Sequence, residues 1–278
     1  HHCTLRCLLG LPQRTPTATV LAESGELPLY ITWLVSAARL WHCMAEAPQG
    51  NLLGLALEEG RRLAAECADE PRLAATQQPW AAQLQQAMQA AGVDFSVAGA
   101  AMPQPSEVRR VALQRYLQRV ADAAGQQGAS RLHHYFSVVR PECLSPDGYS
   151  RPPYIEAVRE RHRRRAITEL RTGVHWGAEE RDRLLGAARR PRAQRECPHC
   201  AAAGLPGRAE DTAHIVFECE LYTDLRQQHP ELFPAPSRRL SVFTQLSLKS
   251  FLAGSCAATA RFTGACRRRA RARLGLPP

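Results

Sequence analysis

Apolar residues recur at helical spacing along most of the chain, and no stretch sustains the alternation that is typical of a β-strand. The clearest pattern lies between Pro28 and Pro48, because proline is tolerated at the start of a helix and cannot continue one. We therefore predict one long helix in this interval. Its expected inward face consists of Leu29, Trp33, Leu34, Ala37, Leu40, Trp41 and Met44.

Cap residues predict further helices in the first third of the chain. Thr15 begins a short helix that ends at Gly25, and Pro79 opens another that Gly92 ends. Asn51 is suited to cap a helix of its own, since its side chain can accept from a free backbone amide. The expected inward face of this last helix consists of Leu52, Leu53, Leu55, Leu57, Leu63 and Cys67.

Two stretches interrupt the helical pattern. Residues 93–105 are rich in glycine, alanine, proline and serine, which favours a linker, and the prolines of 140–153 remove amide donors and mark a second boundary. Between them Ser106 caps a long helix that ends at Gly125. After them a helix is predicted over residues 154–173.

The pattern as a whole predicts a mainly α fold in three consecutive parts. Residues 1–92 form a helical connector, residues 93–150 a helix with flanking linkers, and residues 151–278 an arginine-rich helical region. The 278 residues are enough for one large or two ordinary domains, and the 45% that are hydrophobic suffice for a core.

The formal net charge of +10 comes almost wholly from arginine, since Lys249 is the only lysine. Guanidinium groups contact phosphate through several hydrogen bonds at once, so this charge favours RNA, DNA or another acidic partner. A compositional bias from lysine to arginine is the alternative explanation.

The arginines concentrate in three clusters, at 159–165, 189–195 and 267–273, the last within a helix predicted over 257–274. Crowded like charges repel one another and gain from a polyanion, although such runs are also common on a solvated face. The candidate nucleic-acid-binding residues are Arg159, Arg161, Arg163, Arg164, Arg165, Arg189, Arg190, Arg192, Arg195, Arg267, Arg268 and Arg269.

The ten cysteines do not form the framework of a disulfide-rich secreted protein, because seven of them are scattered along the chain. We expect an intracellular protein, nuclear and cytoplasmic. The apolar span 27–45 carries Arg39 and His42 in an amphipathic pattern, which excludes a membrane crossing. The chain opens at His1 without a methionine, so we expect a fragment or a processed piece.

The remaining three cysteines belong to the most specific motif of the chain. Cys197 and Cys200 are separated by two residues, and thirteen residues later His214 and Cys219 follow with a gap of four. This is one set of ligands for a tetrahedral Zn²⁺ ion, and four protein ligands leave no position for water or substrate. We predict a structural zinc ion in a small CCHC subdomain at 197–219; ordinary reduced cysteines are the alternative.

The same region resembles the zinc-binding C-terminus of LINE-type, non-LTR retrotransposon reverse transcriptases. Residues 8–44 also resemble the segment that follows the polymerase thumb in these elements, whereas residues 70–130 have no recognisable counterpart. The matching residues of the C-terminal pattern are Arg171-Thr172-Gly173, Cys197-Pro198-His199-Cys200, Glu210-Asp211, His214, Phe217, Cys219, Tyr222 and Arg226.

The resemblance implies a helical post-polymerase region that contacts template RNA or target DNA, next to an upstream polymerase domain. The sequence has no two adjacent aspartates, so the carboxylates that hold catalytic magnesium in a polymerase are missing and we expect no enzymatic activity of this chain. The sequence does not indicate an oligomeric state.

Three alternative functions can be compared with the sequence, and two of them lack their motifs. A zinc deaminase needs His-x-Glu upstream of its cysteine pair, but here the only such triplet, at 229–231, lies downstream. A nuclease needs clustered carboxylates with a lysine, which the chain does not offer. The competing function is a helical protein-interaction module in which zinc only stabilises a subdomain and the arginines are solvated.

Overall fold

The computed structural model describes residues 1–67, 78–99, 101–126, 130–177, 194–205, 207–233, 248, 250–252, 256–273 and 275. The described residues are mainly helical, as predicted, and contain no β-strand. The α-helices are α1 (His2–Leu9), α2 (Thr17–Ser24), α3 (Leu29–Ala45), α4 (Leu52–Glu66), α5 (Trp80–Ala90), α6 (Pro105–Gly125), α7 (Ser130–His134), α8 (Tyr154–Ala157), α9 (Arg161–Arg171), α10 (Pro198–Ala202), α11 (Thr223–Gln227) and α12 (Cys256–Arg273). Tighter or wider helical turns lie at Tyr135–Val139, Pro141–Leu144, His214–Glu218 and Glu220–Tyr222.

The chain separates into two units, each built from more than one stretch. The first unit contains His1–Glu26, Ala123–Cys143 and Tyr149–Pro278, and the second contains Leu27–Asp122 and Leu144–Gly148. The division into a connector, a linker region and an arginine-rich region, at 1–92, 93–150 and 151–278, stays a prediction. No helix among the described residues has the length and apolarity that a bilayer crossing requires.

The second unit is built around Trp41 of α3. Its ring lies 5.1 Å from that of Phe95 and 5.6 Å from that of Trp80, centroid to centroid and edge to face. Phe95 is fully buried although it lies in the stretch 93–105. Phe95 thus anchors its part of this stretch in the core of the unit, and the assignment of the stretch as a linker stays a prediction.

The predicted inward faces of α3 and α4 are only partly correct. Trp33, which the pattern placed in the core beside Trp41, is 52% exposed, because the buried stripe of α3 lies to one side of it. Leu52 of α4 is 82% exposed, and Leu57 is the buried leucine of that helix. Both helices are apolar on more than one side, so the periodicity alone did not decide which side is covered. The buried residues of α3 are Ile31, Leu34, Ala38, Trp41 and Met44.

In the first unit α9 packs on α12. A buried cluster between these segments contains Tyr154, Val158, Ile167 and Ala260. The single helix predicted over 154–173 is broken, since Val158 has extended backbone angles and α9 begins only at Arg161. The Arg164 guanidinium donates to the Val158 carbonyl at 3.2 Å, so a side chain satisfies the carbonyl that an unbroken helix would have bonded.

Candidate metal centre and arginine-rich helices

Helix α10 presents Cys197 and Cys200 on the same side of a tight turn. Cys197 is the N-cap residue, and Pro198 fills the first helical position, where no amide donor is needed. The turn ends because Gly204 adopts a left-handed conformation with φ of 77°, and the Leu205 amide then donates to the Cys200 carbonyl at 2.8 Å. Pro198 and Gly204 therefore determine the turn that holds Cys197 and Cys200, which form the first half of the site.

An antiparallel bridge brings the second half of the site against the first. Glu196 pairs with Ala209, and the Cys197 amide donates to the Arg208 carbonyl at 2.7 Å. The returning chain then reaches Asp211, whose Oδ1 accepts from the His214 amide at 2.9 Å and caps the next turn. The loop between Cys200 and His214 thus folds back, and Gly204 and Gly207 adopt left-handed angles within it.

The turn that carries His214 and Cys219 is wider than an α-helical turn. The Cys219 amide donates to the His214 carbonyl, five residues earlier, at 2.8 Å. This π-helical closure places the two side chains on the same side of the turn. The Arg226 guanidinium donates to the Cys219 carbonyl at 2.7 Å and holds the end of the turn.

The four predicted ligands meet at one point, with all four ligand atoms within 4.8 Å of one another. Cys197 Sγ lies 3.7 Å from Cys219 Sγ, and Cys200 Sγ lies 4.0 Å from Cys219 Sγ and 3.3 Å from His214 Nε2. Tetrahedral bonds of about 2.3 Å from zinc to sulfur place two sulfurs about 3.8 Å apart. The separations match that geometry and exclude disulfides, whose sulfurs lie about 2 Å apart.

The site is closed to solvent. Cys197, Cys200, His214 and Cys219 are each no more than 4% exposed. Four buried donors around one point surround a tetrahedral cation completely, so no coordination position remains for a substrate or a catalytic water. The residues present therefore fit a structural Zn²⁺ ion, whose contribution would be to crosslink two turns rather than to perform chemistry.

The protonation states of the candidate ligands depend on one another, because the side chains share hydrogen bonds. A hydrogen bond from the Cys219 thiol lowers the pKa of Cys197 to about 3, and the same bond raises the pKa of Cys219 far above its ordinary value. Burial alone would lower the pKa of His214, but hydrogen bonds with Cys197 and Glu218 outweigh burial and raise it. Facing thiols that share protons in this way are favourable sites for a cation, which stabilises the thiolate form of every sulfur.

A carboxylate behind His214 was missed by the sequence analysis. Glu218 Oε2 lies 3.4 Å from His214 Nδ1 and accepts from Arg208 Nη1 at 2.7 Å. Because Nε2 faces the sulfurs, Nδ1 is free to donate to this carboxylate, which fixes the tautomer and the ring orientation of a metal-binding histidine. The signal was present in the sequence, since His214 and Glu218 are four residues apart on one helical turn.

The segment 197–219 carries the four candidate ligands and is called the metal-binding segment below. It packs against α12 through phenylalanine rings. Phe217 of the π-helical turn lies 6.0 Å from Phe251, and Phe251 lies 5.7 Å from Phe262 of α12. Arg269 of α12 adds two polar contacts, because its guanidinium donates to the Leu221 carbonyl at 2.7 Å and forms a bidentate ion pair with Asp224. The segment that carries the ligands therefore positions one of the arginine-rich helices.

Among the predicted nucleic-acid-binding arginines, Arg159, Arg161, Arg165 and Arg268 are exposed, and of these Arg165 is paired with Glu169. The four lie just before α9, on α9 and on α12. Arg189, Arg190 and Arg192 lie outside the described residues. Arg195 is 4% exposed, and its backbone carbonyl accepts a hydrogen bond from the Glu210 amide. This arginine is therefore buried next to the bridge that brings the two halves of the candidate metal site together.

The other predicted arginines contact groups of the protein itself. Arg163 pairs with Glu160 at 2.9 Å, and Arg164 is bound to backbone carbonyls. Arg165 and Arg267 share the carboxylate of Glu169, at 2.7 and 2.8 Å, and Arg269 pairs with Asp224. The ion pairs of Arg163 and Arg269 are part-exposed and can exchange for phosphate, whereas Arg267 is only 8% exposed and is held in place.

Comparisons with protein-family models, with curated proteins and with solved structures give no match for this chain. The geometry of the metal site and the placement of the arginines are therefore the observations from which a function can be argued. The resemblance to non-LTR retrotransposon C-termini rests on sequence motifs alone.

Proposed function

We propose that this chain is a non-catalytic, zinc-stabilised nucleic-acid-binding region that corresponds to the C-terminal portion of a non-LTR retrotransposon reverse transcriptase. The observation that carries the proposal is the convergence of Cys197, Cys200, His214 and Cys219 on one point. The same four residues belong to the motif on which the resemblance depends. In this role the chain contacts template RNA or target DNA and supplies no catalytic residue.

The zinc ion has a positioning role in this proposal. The metal-binding segment and its flanks are not basic. Three thiolates would add negative charge, and Arg208 is the one arginine of 196–220, against Glu196, Glu210, Asp211, Glu218 and Glu220. Nucleic acid is therefore bound by the flanking arginines, on α9 and α12, rather than by the site itself. The phenylalanine contacts between Phe217, Phe251 and Phe262 connect the metal-binding turn to α12.

A binding experiment at two salt concentrations tests the proposal. Zinc-loaded protein is mixed with single-stranded and structured RNA and with DNA, and the bound fraction is measured by filter binding. Contacts to several phosphates release counterions, so the affinity should fall by orders of magnitude between about 50 and 200 mM salt. Absence of binding to every nucleic acid at the lower salt concentration would overturn the proposal.

A protein-interaction module stabilised by zinc is the second candidate, and two observations favour it. The helices of the second unit expose large apolar side chains, including Leu29, Trp33 and Leu40 of α3. Several of the predicted arginines are already paired with carboxylates of the chain. Zinc binding without any salt-dependent binding of nucleic acid would select this second function.

A further inference from the structure

A cavity of about 370 Å³ lies between α9, α12 and the end of α1. Its lining consists of Gly10, Arg161, His162, Arg165, Arg267 and Arg271. Four guanidinium groups and an imidazole thus surround one space, and none of the lining side chains is acidic. Like charges that converge in this way repel one another, so the arrangement gains from an anion at its centre.

A single buried carboxylate fixes two of these arginines. Glu169 Oε1 accepts from Arg165 Nε at 2.7 Å, and Glu169 Oε2 accepts from Arg267 Nε at 2.8 Å. Both contacts use Nε, which leaves the terminal Nη groups of the two guanidiniums for another acceptor. Two arginines are therefore oriented before any ligand arrives, which lowers the entropic cost of binding.

Gly10 permits the close approach of Arg165 to α1. Its φ of 70° is left-handed, and a Cβ atom at this position would lie 2.7 Å from Arg165 Cδ. A side chain here would displace Arg165 from the cavity wall. The backbone at the end of α1 and the side chains of α9 thus form one continuous surface.

The charge of the site selects the kind of phosphate. Three positive charges, those of Arg161, Arg165 and Arg267, against the one negative charge of Glu169 leave two, before Arg271 and His162 are considered. A phosphodiester within a nucleic-acid strand carries one negative charge, whereas a terminal phosphomonoester carries close to two at neutral pH because its second pKa is about 6. Arginine forks bind such a dianion through several short, charge-assisted hydrogen bonds.

We propose that this cavity binds the terminal phosphate of a nucleic-acid strand and so anchors a strand end beside α9 and α12. This inference rests on the proposed nucleic-acid-binding function and adds a preferred substrate feature to it. Free phosphate shares this chemistry and is distinguished by the experiment below.

The test uses the full zinc-loaded chain and one RNA sequence made in three forms, with a 5′-hydroxyl, a 5′-phosphate or a 3′-phosphate. Fluorescence anisotropy measures the affinity for each. One phosphorylated end should bind at least about tenfold more tightly than the same RNA with hydroxyl ends, since several charged hydrogen bonds are added. Equal affinity for the three forms would overturn the inference while leaving the proposed function intact.

Matched variants distinguish binding in the cavity from attraction by the overall positive charge of the protein. Arg161→Gln and Arg271→Gln should abolish the preference for the phosphorylated end, because both side chains line the cavity. Arg159→Gln and Arg268→Gln remove exposed arginines outside it, so they should weaken all three forms equally and keep the preference. Circular dichroism confirms that each variant is folded. A preference that survives both cavity variants would contradict the inference.

A competition experiment with inorganic phosphate completes the test. If the cavity binds a strand end, inorganic phosphate should compete with the phosphorylated RNA and remove its advantage over the hydroxyl form. Calorimetry measures the binding of inorganic phosphate to the protein and to Arg161→Gln. If only the unchanged protein bound phosphate and the three RNAs bound with equal affinity, the cavity would take free phosphate. The assignment to a strand end would then be wrong. No binding of any RNA at low salt would overturn this inference and the proposed function together.

Discussion

Arg171 and Glu23, which are 148 residues apart in the sequence, form a buried ion pair with Arg171 Nε 2.6 Å from Glu23 Oε1. Glu23 is fully buried, and the hydroxyl groups of Tyr135 and Tyr154 also donate to its carboxylate. One carboxylate of α2 thus connects three later segments of the first unit. The Arg171 guanidinium additionally lies 5.2 Å from the centre of the Tyr154 ring.

Replacing Glu23 should destabilise the protein strongly. In Glu23→Gln the positive charge of Arg171 stays buried without its partner, which typically costs about 3–5 kcal/mol of the free energy of unfolding. Urea unfolding of the zinc-loaded protein measures this loss. Glu26→Gln is the matched control, because Glu26 pairs with Arg151 at the surface and should contribute less than about 1 kcal/mol. Similar losses for the two variants would show that the buried network does not hold the unit together.

The two tyrosines of the same network predict a fall in stability at alkaline pH. Burial raises the pKa of Tyr135 and of Tyr154 well above the ordinary value, and the negative charge of Glu23 raises both further. In the unfolded chain both hydroxyls lose their protons near pH 10. The stabilising contribution is therefore complete below about pH 10 and decreases as the pH rises above it, since the unfolded chain then binds fewer protons.

Urea unfolding at a series of pH values between about 8 and 11 measures this dependence. Tyr135→Phe should reduce its slope, because a group whose pKa is raised well above the ordinary value is removed. Tyr30 provides the comparison, since it is partly exposed and burial raises its pKa less, so Tyr30→Phe should reduce the slope by a smaller amount. If Tyr30→Phe reduced the slope as much as Tyr135→Phe did, the buried network would not be its cause.

The convergence of the four candidate ligands could be predicted because it depends on two short turns. Cys197 and Cys200 share one turn, His214 and Cys219 share another, and the glycines between the turns reverse the chain. The Glu23 network was not predicted, since it depends on contacts between distant segments. A buried glutamate in a short helix gives no sequence signal that distinguishes it from a solvated one.

The buried faces of the helices were harder to predict than their boundaries. The first residues of α3 and α4 follow Pro28 and Asn51, as predicted. The Asn51 side chain accepts a hydrogen bond from the Leu53 amide at 2.9 Å, as expected of an N-cap. The choice between Trp33 and Ala38 as core residue depends on where the neighbouring helices lie. That information is tertiary, and helical periodicity does not contain it.

Loss of a metal ligand should unfold the metal-binding segment. In Cys219→Ser the site has three strong ligands, so bound zinc should fall well below one ion per chain, and stability should fall by about 4 kcal/mol or more. Atomic absorption and thermal unfolding measure the two effects. Cys43→Ser is the control, since Cys43 is exposed on α3 and is not part of the cluster. Unchanged zinc content in Cys219→Ser would contradict the assignment of the ligands.

The carboxylate behind His214 should tune the metal affinity without binding the metal. In Glu218→Gln the partner of His214 Nδ1 loses its charge, and affinity for zinc should fall by about 10–100-fold with the stoichiometry unchanged. Competition with a zinc chelator measures the affinity. Glu220→Gln changes an exposed carboxylate two residues further along and should leave the affinity nearly unchanged. A larger effect of Glu220→Gln would mean that only the overall negative charge of the segment matters.

The exposed arginines of α9 and α12 should determine how steeply nucleic-acid binding depends on salt. Arg159 and Arg268 are exposed in the first unit, so each can contact a phosphate without first breaking an ion pair with a described carboxylate. The double variant Arg159→Gln with Arg268→Gln should weaken binding uniformly across RNA sequences, and it should reduce the slope of log affinity against log salt by about two, one for each arginine. Arg39→Gln, on the exposed side of α3 in the second unit, removes one positive charge elsewhere and should leave the slope within experimental error. The comparison distinguishes direct contacts of these two arginines from a general effect of the net charge of +10. A general charge effect would lower the slope by the same amount for each arginine removed, wherever that arginine lies.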